Sequence, residues 1–243
     1  MNLSKLISIL GVLSFTIFSC TPTEDLSIVI NKSGSLLIKA EGVTNGKLKV
    51  NYTYGDNIIY DSLDASGQLK TELLLEGAYY VSVESEHNNM KYFDAKNTQV
   101  IATTEKEVVL SPLDNYGSIE VAVTSDYYDD ENFQYVYDDS LANVNIGIIS
   151  TEKYSEVYDG SDLTIISNLQ NATVTDMYGV ARFENIPSSV TMFGERNYNA
   201  EYYIFVMNNA GTEILNYPNS ISVPYQNTYN TRIRIYKDDL TDF

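Results

Sequence analysis

The sequence is poor in several residue types, and each scarcity excludes a class of site. Among 243 residues there is no tryptophan, one histidine and one cysteine. A single cysteine cannot form an intramolecular disulfide. With one histidine, His87, the chain also lacks the partners that a catalytic triad or a zinc site of these residues needs. We expect His87 to be a solvated loop residue, and we expect the chain to have no enzymatic activity.

Basic residues are also scarce, because 15 lysines and arginines face 33 aspartates and glutamates for a formal net charge of -18. Such a chain cannot replace the counterions on a phosphate backbone, so we expect no nucleic-acid partner. It also lacks a basic patch for an anionic bilayer. Phosphate-binding and dinucleotide-binding glycine motifs are absent from the sequence. The acidic balance is compatible with a bound cation or a basic partner.

No stretch shows a sustained helical period, whereas 21 tyrosines and many short alternating runs favour strands. The two halves of the chain, 26–113 and 114–243, present these runs in the same order. Each half opens with Gly-Ser and a strand, at 34–40 and 117–123, and continues with a second strand, at 47–52 and 142–148. Each later has a tyrosine-led strand and ends with a pair of strands. About seven short strands per half predict a β-sandwich in each.

Each half also contains an Asp-x-x-Gly turn, formed by Asp64 with Gly67 and by Asp176 with Gly179. The residues around the second turn, 174–187, read VTDMYGVARFENIP. This segment resembles the signature of prealbumin-like domains, which include the carboxypeptidase regulatory domain and the Cna B-type domains. The resemblance implies stalks, spacers or interaction modules rather than catalysis. We therefore expect an all-β chain of two consecutive Ig-like or prealbumin-like β-sandwich domains.

The N-terminal segment 1–19 has one lysine and a short apolar stretch, which is typical of a secretory signal. It ends in Ile17-Phe18-Ser19-Cys20, which resembles a bacterial lipobox with Cys20 as the lipidated first residue of the mature chain. The alternative is an ordinary cleaved signal. The tether 20–25 carries Glu24 and Asp25, which resemble the acidic surface-export signal of Bacteroidota lipoproteins. The resemblance implies a lipid-anchored outer-membrane protein exposed at the cell surface.

An acidic, tyrosine-rich insert at about 126–139 separates the first two strands of the second half. Clustered carboxylates suit Ca²⁺, the one cofactor that the sequence suggests. The alternative is a solvated acidic hairpin. The candidate ligands are Asp126, Asp129, Asp130, Glu131, Asp138 and Asp139.

The same insert carries aromatic residues that suit stacking on a sugar. The alternative is packing within a sheet. The candidates for stacking are Phe133, Tyr135 and Tyr137, with Tyr154 and Tyr158 further along the chain.

Three functions follow as hypotheses. The first is a non-catalytic surface lipoprotein that serves as a stalk, accessory or adhesion subunit of an outer-membrane assembly, with a protein partner there. The second is a lipoprotein that binds a glycan or calcium directly through the insert. The third is a fimbria-like structural subunit, because Bacteroidota fimbrial subunits also resemble tandem prealbumin-like lipoproteins.

The mass of the mature protein tests the anchor. We expect protein extracted from membranes with mild detergent to begin at Cys20 and to carry several acyl chains, which together hold it lastingly in a bilayer. Intact-mass spectrometry of the extract measures this, and co-purifying proteins can be identified in the same sample. An unmodified Cys20 would contradict the lipoprotein hypothesis.

Overall fold

The computed structural model describes residues 32–236 except 54, 56, 193 and 194, and describes the backbone alone at 137, 138, 191, 192 and 195–197. The predicted signal segment 1–19 and the predicted sites Cys20, Glu24 and Asp25 lie outside the described residues.

The first sandwich is built from eight strands in two sheets. In one sheet β1 pairs with β4, β5 and β8, and in the other the order is β3-β2-β6-β7. Their facing sides enclose a core that includes Leu36, Ile38, Val81 and Leu110. The strands are β1 (Ser33–Ala40), β2 (Lys47–Tyr52), β3 (Ile58–Ser62), β4 (Gln68–Lys70), β5 (Leu74–Leu75), β6 (Gly77–His87), β7 (Met90–Val100) and β8 (Glu105–Leu110).

A 3-10 turn (Pro112–Asp114) leads to the second sandwich, which has the same two-sheet plan. In one sheet β9 pairs with β10, β13 and β18, and the other has the order β12-β11-β16-β17. Strands β14 and β15 form a separate hairpin. The strands are β9 (Tyr116–Asp129), β10 (Gln134–Ser140), β11 (Asn145–Ser150), β12 (Asn171–Val174), β13 (Val180–Pro187), β14 (Val190–Met192), β15 (Glu195–Tyr198), β16 (Glu201–Met207), β17 (Ser220–Ser222) and β18 (Thr228–Tyr236).

Alternation of side chains explains how β9 divides core from surface. Ile119, Val121 and Val123 are fully buried, while the residues between them are partly exposed. Successive strand residues point to opposite faces, so one face of β9 lines the core and the other faces outward. The prediction of an all-β fold with sandwich architecture is therefore confirmed.

The closing strands of each half do not pair with each other, which corrects the expected strand pair. Strand β7 pairs with β6, whereas β8 crosses to the opposite sheet and pairs in parallel with β1. Likewise β17 pairs with β16, and β18 pairs in parallel with β9. Each sandwich is thus closed by its first and last strands. Local sequence patterns predict strands but not this long-range pairing.

The two Asp-x-x-Gly turns have the same hydrogen bonds. Asp64 Oδ1 accepts from the backbone N–H groups of Ser66 and Gln68 at 2.8 and 2.9 Å. Asp176 Oδ1 accepts from the matching positions, residues 178 and 180, at 2.9 and 3.0 Å. These bonds favour the charged carboxylate and lower both pKa values, for Asp64 chiefly through the Ser66 side chain and for Asp176 chiefly through the N–H of residue 180. The turns repeat in both halves with the same geometry.

Two short helices interrupt the second sandwich, and the absence of helical periodicity gave no sign of them. They are α1 (Thr151–Val157) and α2 (Asp162–Ser167), only seven and six residues long. The side chain of Ser150 caps α1 by accepting from the N–H of Lys153. Tyr154 packs against a small core of Ile149, Ile165 and Phe205. Within the described residues no helix is long and apolar enough to cross a membrane.

Strand β3 is an edge strand with an apolar surface. It pairs with β2 alone among the described strands. Ile58, Ile59 and Tyr60 are all exposed along it. An exposed apolar edge offers unpaired backbone groups to a further strand, so it is a surface suited to strand addition by another chain.

Substitution of the glycine in the second Asp-x-x-Gly turn tests whether that turn contacts its neighbours as described. Gly179 has φ 74°, and a Cβ there would lie 2.9 Å from Leu141 N and from Val123 O. Gly211 has φ 64° but open space around the same position, so it is the matched control. We expect Gly211→Ala to lower the free energy of unfolding by about 1 kcal/mol through backbone strain alone. Gly179→Ala adds steric overlap, so we expect it to cost at least about 1 kcal/mol more.

Urea unfolding of both variants measures the difference. Equal losses of stability in the two variants would show that the turn does not contact β9 and the segment before β11 as described.

Candidate functional site

The most extensive meeting of the two sandwiches lies at the tip of the β6–β7 hairpin. His87 pairs with Met90, so a two-residue turn of Asn88 and Asn89 joins the strands. These two asparagines have φ 51° and 60°. Positive φ at both central positions marks a tight hairpin turn whose twist matches that of the strands, and asparagine tolerates it well. The turn therefore presents the next residues of β7 in a fixed register.

Two side chains of that strand belong to the core of the second sandwich. Met90 and Tyr92 are buried among its residues, which include Ile186. The Tyr92 hydroxyl donates to the Asn185 carbonyl at 2.7 Å. Leu113 packs against the cores of both sandwiches. Burying Met90 and Tyr92 contributes about 2 kcal/mol each, so these contacts stabilise one relative placement of the sandwiches.

Tyr198, a residue of the second sandwich, adds to these contacts. Its ring stacks on Phe93 with centroids 5.1 Å apart and planes inclined by 16°. Its hydroxyl donates to the Lys91 carbonyl at 3.1 Å. Burial raises the pKa of Tyr198 and of Tyr202 far above the ordinary range of a phenol, and it also raises the pKa of Tyr92. These phenols are therefore neutral structural groups.

Polar contacts surround this apolar centre. Lys91 forms an ion pair with Glu152 of α1, and this bond is the main reason why its pKa is raised. The Gln170 side chain donates to the Asn89 carbonyl and accepts from the Ser150 N–H at 2.6 Å. The β6–β7 hairpin therefore contacts the second sandwich through an ion pair and hydrogen bonds as well as through buried apolar side chains. We call the contacts of residues 87–93 with the second sandwich the joint.

Two open clefts flank the joint. One, of about 480 Å³, is lined by His87 together with amide and apolar side chains and one carboxylate, Glu184. The other, of about 390 Å³, is lined by the Lys91–Glu152 pair and by Gln170. Several of their polar groups already take part in the joint. His87 is exposed as expected, but it is the last residue of β6 and not a loop residue. Its ring meets the edge of Tyr92 at 6.3 Å between centroids.

The predicted acidic insert is a β-hairpin and not a loop, because β9 and β10 continue through it. Asp129 is the last residue of β9 before the turn, and its carboxylate accepts from the backbone N–H groups of Glu131 and Asn132 and from the Asn132 amide. The bonds with Asn132 are the main reason why the pKa of Asp129 is lowered. Asp126 is buried on β9, and the N–H of Asp139 donates to Ser125 Oγ.

The predicted calcium ligands whose side chains are described do not form a metal-binding group. No group of three carboxylate, histidine or cysteine residues is placed for a metal in the part of the chain that is described. The side chain of Asp138 lies outside that part, and those of Asp130 and Glu131 are exposed at the turn. The calcium site stays a prediction.

The predicted stacking residues are separated into different surroundings. Phe133 is 80% exposed at the hairpin turn. Tyr135 packs edge-on against Tyr128, with centroids 5.1 Å apart. The side chain of Tyr137 is outside the described residues. Tyr154 and Tyr158 stack on each other elsewhere, beside α1. No flat platform of all these rings forms among the described residues, and glycan binding also stays a prediction.

Sequence reasoning missed the residues that build the joint. Tyr92 and Met90 continue the alternation of an ordinary strand, and their partner Asn185 is about ninety residues away in the chain. The one local signal was the Asn88-Asn89 pair, which is typical of a two-residue hairpin turn.

Comparisons with solved structures find bacterial pilins and the TIE protein of Bacillus anthracis, all at low identity. No family model matches the chain, and no curated protein matches it. Among solved structures, the GBS52 minor pilin of Streptococcus agalactiae is 11% identical, with a TM-score of 0.42 over 84% of this chain and 96% of the pilin.

Two further structures show the same low similarity. The TIE protein of Bacillus anthracis is 15% identical, with a TM-score of 0.36 over 85% of this chain, which spans only 34% of the length of that protein. The BcpA major pilin subunit of Bacillus cereus is 13% identical, with a TM-score of 0.31 over 80% of this chain and 56% of BcpA. Similarity at this level carries no argument about function.

The buried phenols predict a loss of stability in alkali. A phenol with a raised pKa in the folded state stabilises the fold fully below its unfolded pKa of about 10, and this contribution falls as the pH rises above that value. Each buried phenol then lowers the free energy of unfolding by about 1.4 kcal/mol per pH unit. We expect Tyr202→Phe to make this decline shallower between pH 10 and 11.

Urea unfolding at several pH values from 8 to 11 measures the decline. Tyr217→Phe, at a ring that is 96% exposed, is the control. An identical decline in the wild type and in both variants would contradict the buried, neutral state of Tyr202.

Proposed function

We propose that the chain is a non-catalytic, rigid two-sandwich subunit of a cell-surface structure, in which it acts as a spacer or stalk. The joint carries this proposal. Two domains of one chain move relative to each other by default unless their interface is substantial and apolar. Here Met90 and Tyr92 of the first sandwich are buried in the core of the second, and hydrogen bonds and an ion pair surround them. A spacer needs this fixed direction.

The surface location rests on the N-terminal sequence. The apolar segment before Cys20 and the acidic residues Glu24 and Asp25 favour a lipid-anchored protein of the outer membrane. The accessory, adhesion and fimbria-like roles are versions of this proposal that differ in the partner.

The edge strand β3 supports a role as a subunit that has a protein partner. Its exposed apolar residues Ile58, Ile59 and Tyr60 lie on a sheet edge that is unpaired among the described strands. Isolated proteins usually protect such edges with charge, proline or a covering loop. Within β3 one charged residue, Asp61, stands beside these three apolar ones, and such an edge suits a surface that is covered in an assembly.

Polar groups beside the joint support the non-catalytic part of the proposal, because they already bond to other residues of the chain. Gln170 and Lys91 line a cleft but already bond to Asn89 and Glu152 across the joint. Groups committed to structure in this way are not available to bind and turn over a substrate.

Rotational diffusion tests the rigidity of the pair. We expect ¹⁵N relaxation of the whole chain to give one rotational correlation time for both sandwiches, because the joint prevents independent tumbling. Tyr92→Ala removes a buried ring and its hydrogen bond, so we expect it to separate the two correlation times. Tyr60→Ala, at an exposed ring of the first sandwich that is remote from the joint in the strand order, is the matched control.

Amide spectra of each variant verify that both sandwiches are still folded. Different correlation times in the wild type would contradict the rigid spacer, and so would a Tyr92→Ala variant that tumbles like the wild type.

A further inference from the structure

The far end of β9 carries a buried acid on its outward face. Ile119, Val121 and Val123 line the core, so the alternate residues Thr124 and Asp126 must face outward with the opposite side of the sheet. Asp126 is nevertheless only 5% exposed. On an outward face, a side chain reaches such burial only when neighbouring side chains cover it.

Three tyrosines are positioned to provide that cover. Tyr236 of β18 lies directly opposite Asp126, and Tyr128 lies two residues further along β9 on the same face. Tyr135 of β10 lies opposite Tyr128. The Tyr135 ring is 5.1 Å from that of Tyr128, at an interplanar angle of 67°, and 6.5 Å from that of Tyr236, at 54°. All three rings are partly exposed, so they are accessible from solvent.

Two buried oxygens on this face of β9 lack a hydrogen-bond donor. Asp126 Oδ1 and Thr124 Oγ1 are both buried without a hydrogen-bond partner among the described residues. A buried carboxylate oxygen without a hydrogen bond is costly, and protein folds rarely keep one without a reason. Two such oxygens, two residues apart on one face of one strand, indicate a place that accepts a donor from beyond the described side chains.

We propose that Tyr128, Tyr135, Tyr236 and Asp126 form a cage for an aliphatic ammonium group. A cation is attracted to the faces of aromatic rings, and these inclined rings present faces to a compact cation but no flat platform to a sugar. The Asp126 carboxylate provides the opposite charge. The ammonium group belongs either to a lysine side chain of a partner or to a small quaternary amine. This inference goes beyond the rigid-subunit proposal and does not depend on it.

The charges around the cage favour a cation that approaches from the hairpin turn. Asp129, Asp130 and Glu131 lie at that turn, just beyond Tyr128. Arg232 and Arg234 of β18 lie on the same outward face, opposite Ala122 and Thr124, so they come before the position of Asp126 along the strand. The field is therefore negative towards the turn and positive away from it, and a ligand cation is drawn to the tyrosine end of the face.

Binding to the whole chain tests the cage, with four probes followed by amide and tyrosine NMR shifts. They are choline, its neutral isostere 3,3-dimethylbutan-1-ol, Nα-acetyl-lysine methylamide and methyl glucoside. We expect choline or the lysine derivative to shift the signals of residues 124–128, 135 and 236, and the isostere and the glucoside to leave them unmoved. Tighter binding of the lysine derivative assigns the site to a protein partner, and tighter binding of choline assigns it to a small amine.

Two variants test the residues, and a third is the control. Asp126→Asn keeps the shape of the side chain but removes its charge, and Tyr135→Ala opens the cage, so we expect each to weaken binding at least tenfold. Tyr217→Ala, at an exposed tyrosine outside the cage, should bind as the wild type does.

Three results would overturn the proposal: equal binding of choline and its isostere, binding of the glucoside in place of both amines, or no shift with any probe. The wild-type comparison of the two amines with the neutral isostere and the glucoside decides the matter even if a variant fails to fold. None of these results depends on whether the two sandwiches tumble together, so failure here and failure of the rigid-subunit proposal are distinguishable.

Discussion

The insertion of the β6–β7 hairpin into the second sandwich is the contact on which the arrangement of the whole chain depends. Eleven residue pairs join β6 and β7, and the Asn88-Asn89 turn sets their register. A slip by one residue would move Met90 and Tyr92 to the other face of the strand and would empty the joint. Two asparagines at positive φ therefore determine how one sandwich is placed against the other, because they decide which side chains of β7 reach the second core.

The two sandwiches are variations on one plan. In both, an Asp-x-x-Gly turn precedes a strand that pairs with the first strand, and the last strand returns to lie parallel to the first. The additions occur mainly in the second sandwich: the two helices, the extended β9–β10 hairpin and the β14–β15 hairpin. The helix α1 contributes Glu152 to the joint, and the hairpin extension brings the tyrosines together on an outward face. The first sandwich stays close to the shared plan and contributes the hairpin and the exposed edge β3.

Local patterns in the sequence predicted the all-β fold but not how its parts meet. Alternation at Ile119, Val121 and Val123 predicted a strand with one buried face, because burial on a strand follows a period of two. The pairing of β18 with β9 joins residues about a hundred positions apart, and no local pattern encodes such contacts. The same limit applies to the tyrosine cage, since Tyr236 meets Tyr135 only after the last strand has crossed to the first. The short helices were missed because six or seven residues are too few to show a period.

In the proposed function the chain acts through its shape and its surfaces. The joint gives it one direction, β3 is the edge proposed for a partner, and the outward face of β9 carries the proposed cage. The central claim, that the joint makes one mechanical unit of two sandwiches, is tested most directly by calorimetry of the whole chain. The account predicts one cooperative unfolding transition, whose calorimetric enthalpy equals its van't Hoff enthalpy. Two separate transitions, one for each sandwich, would contradict it.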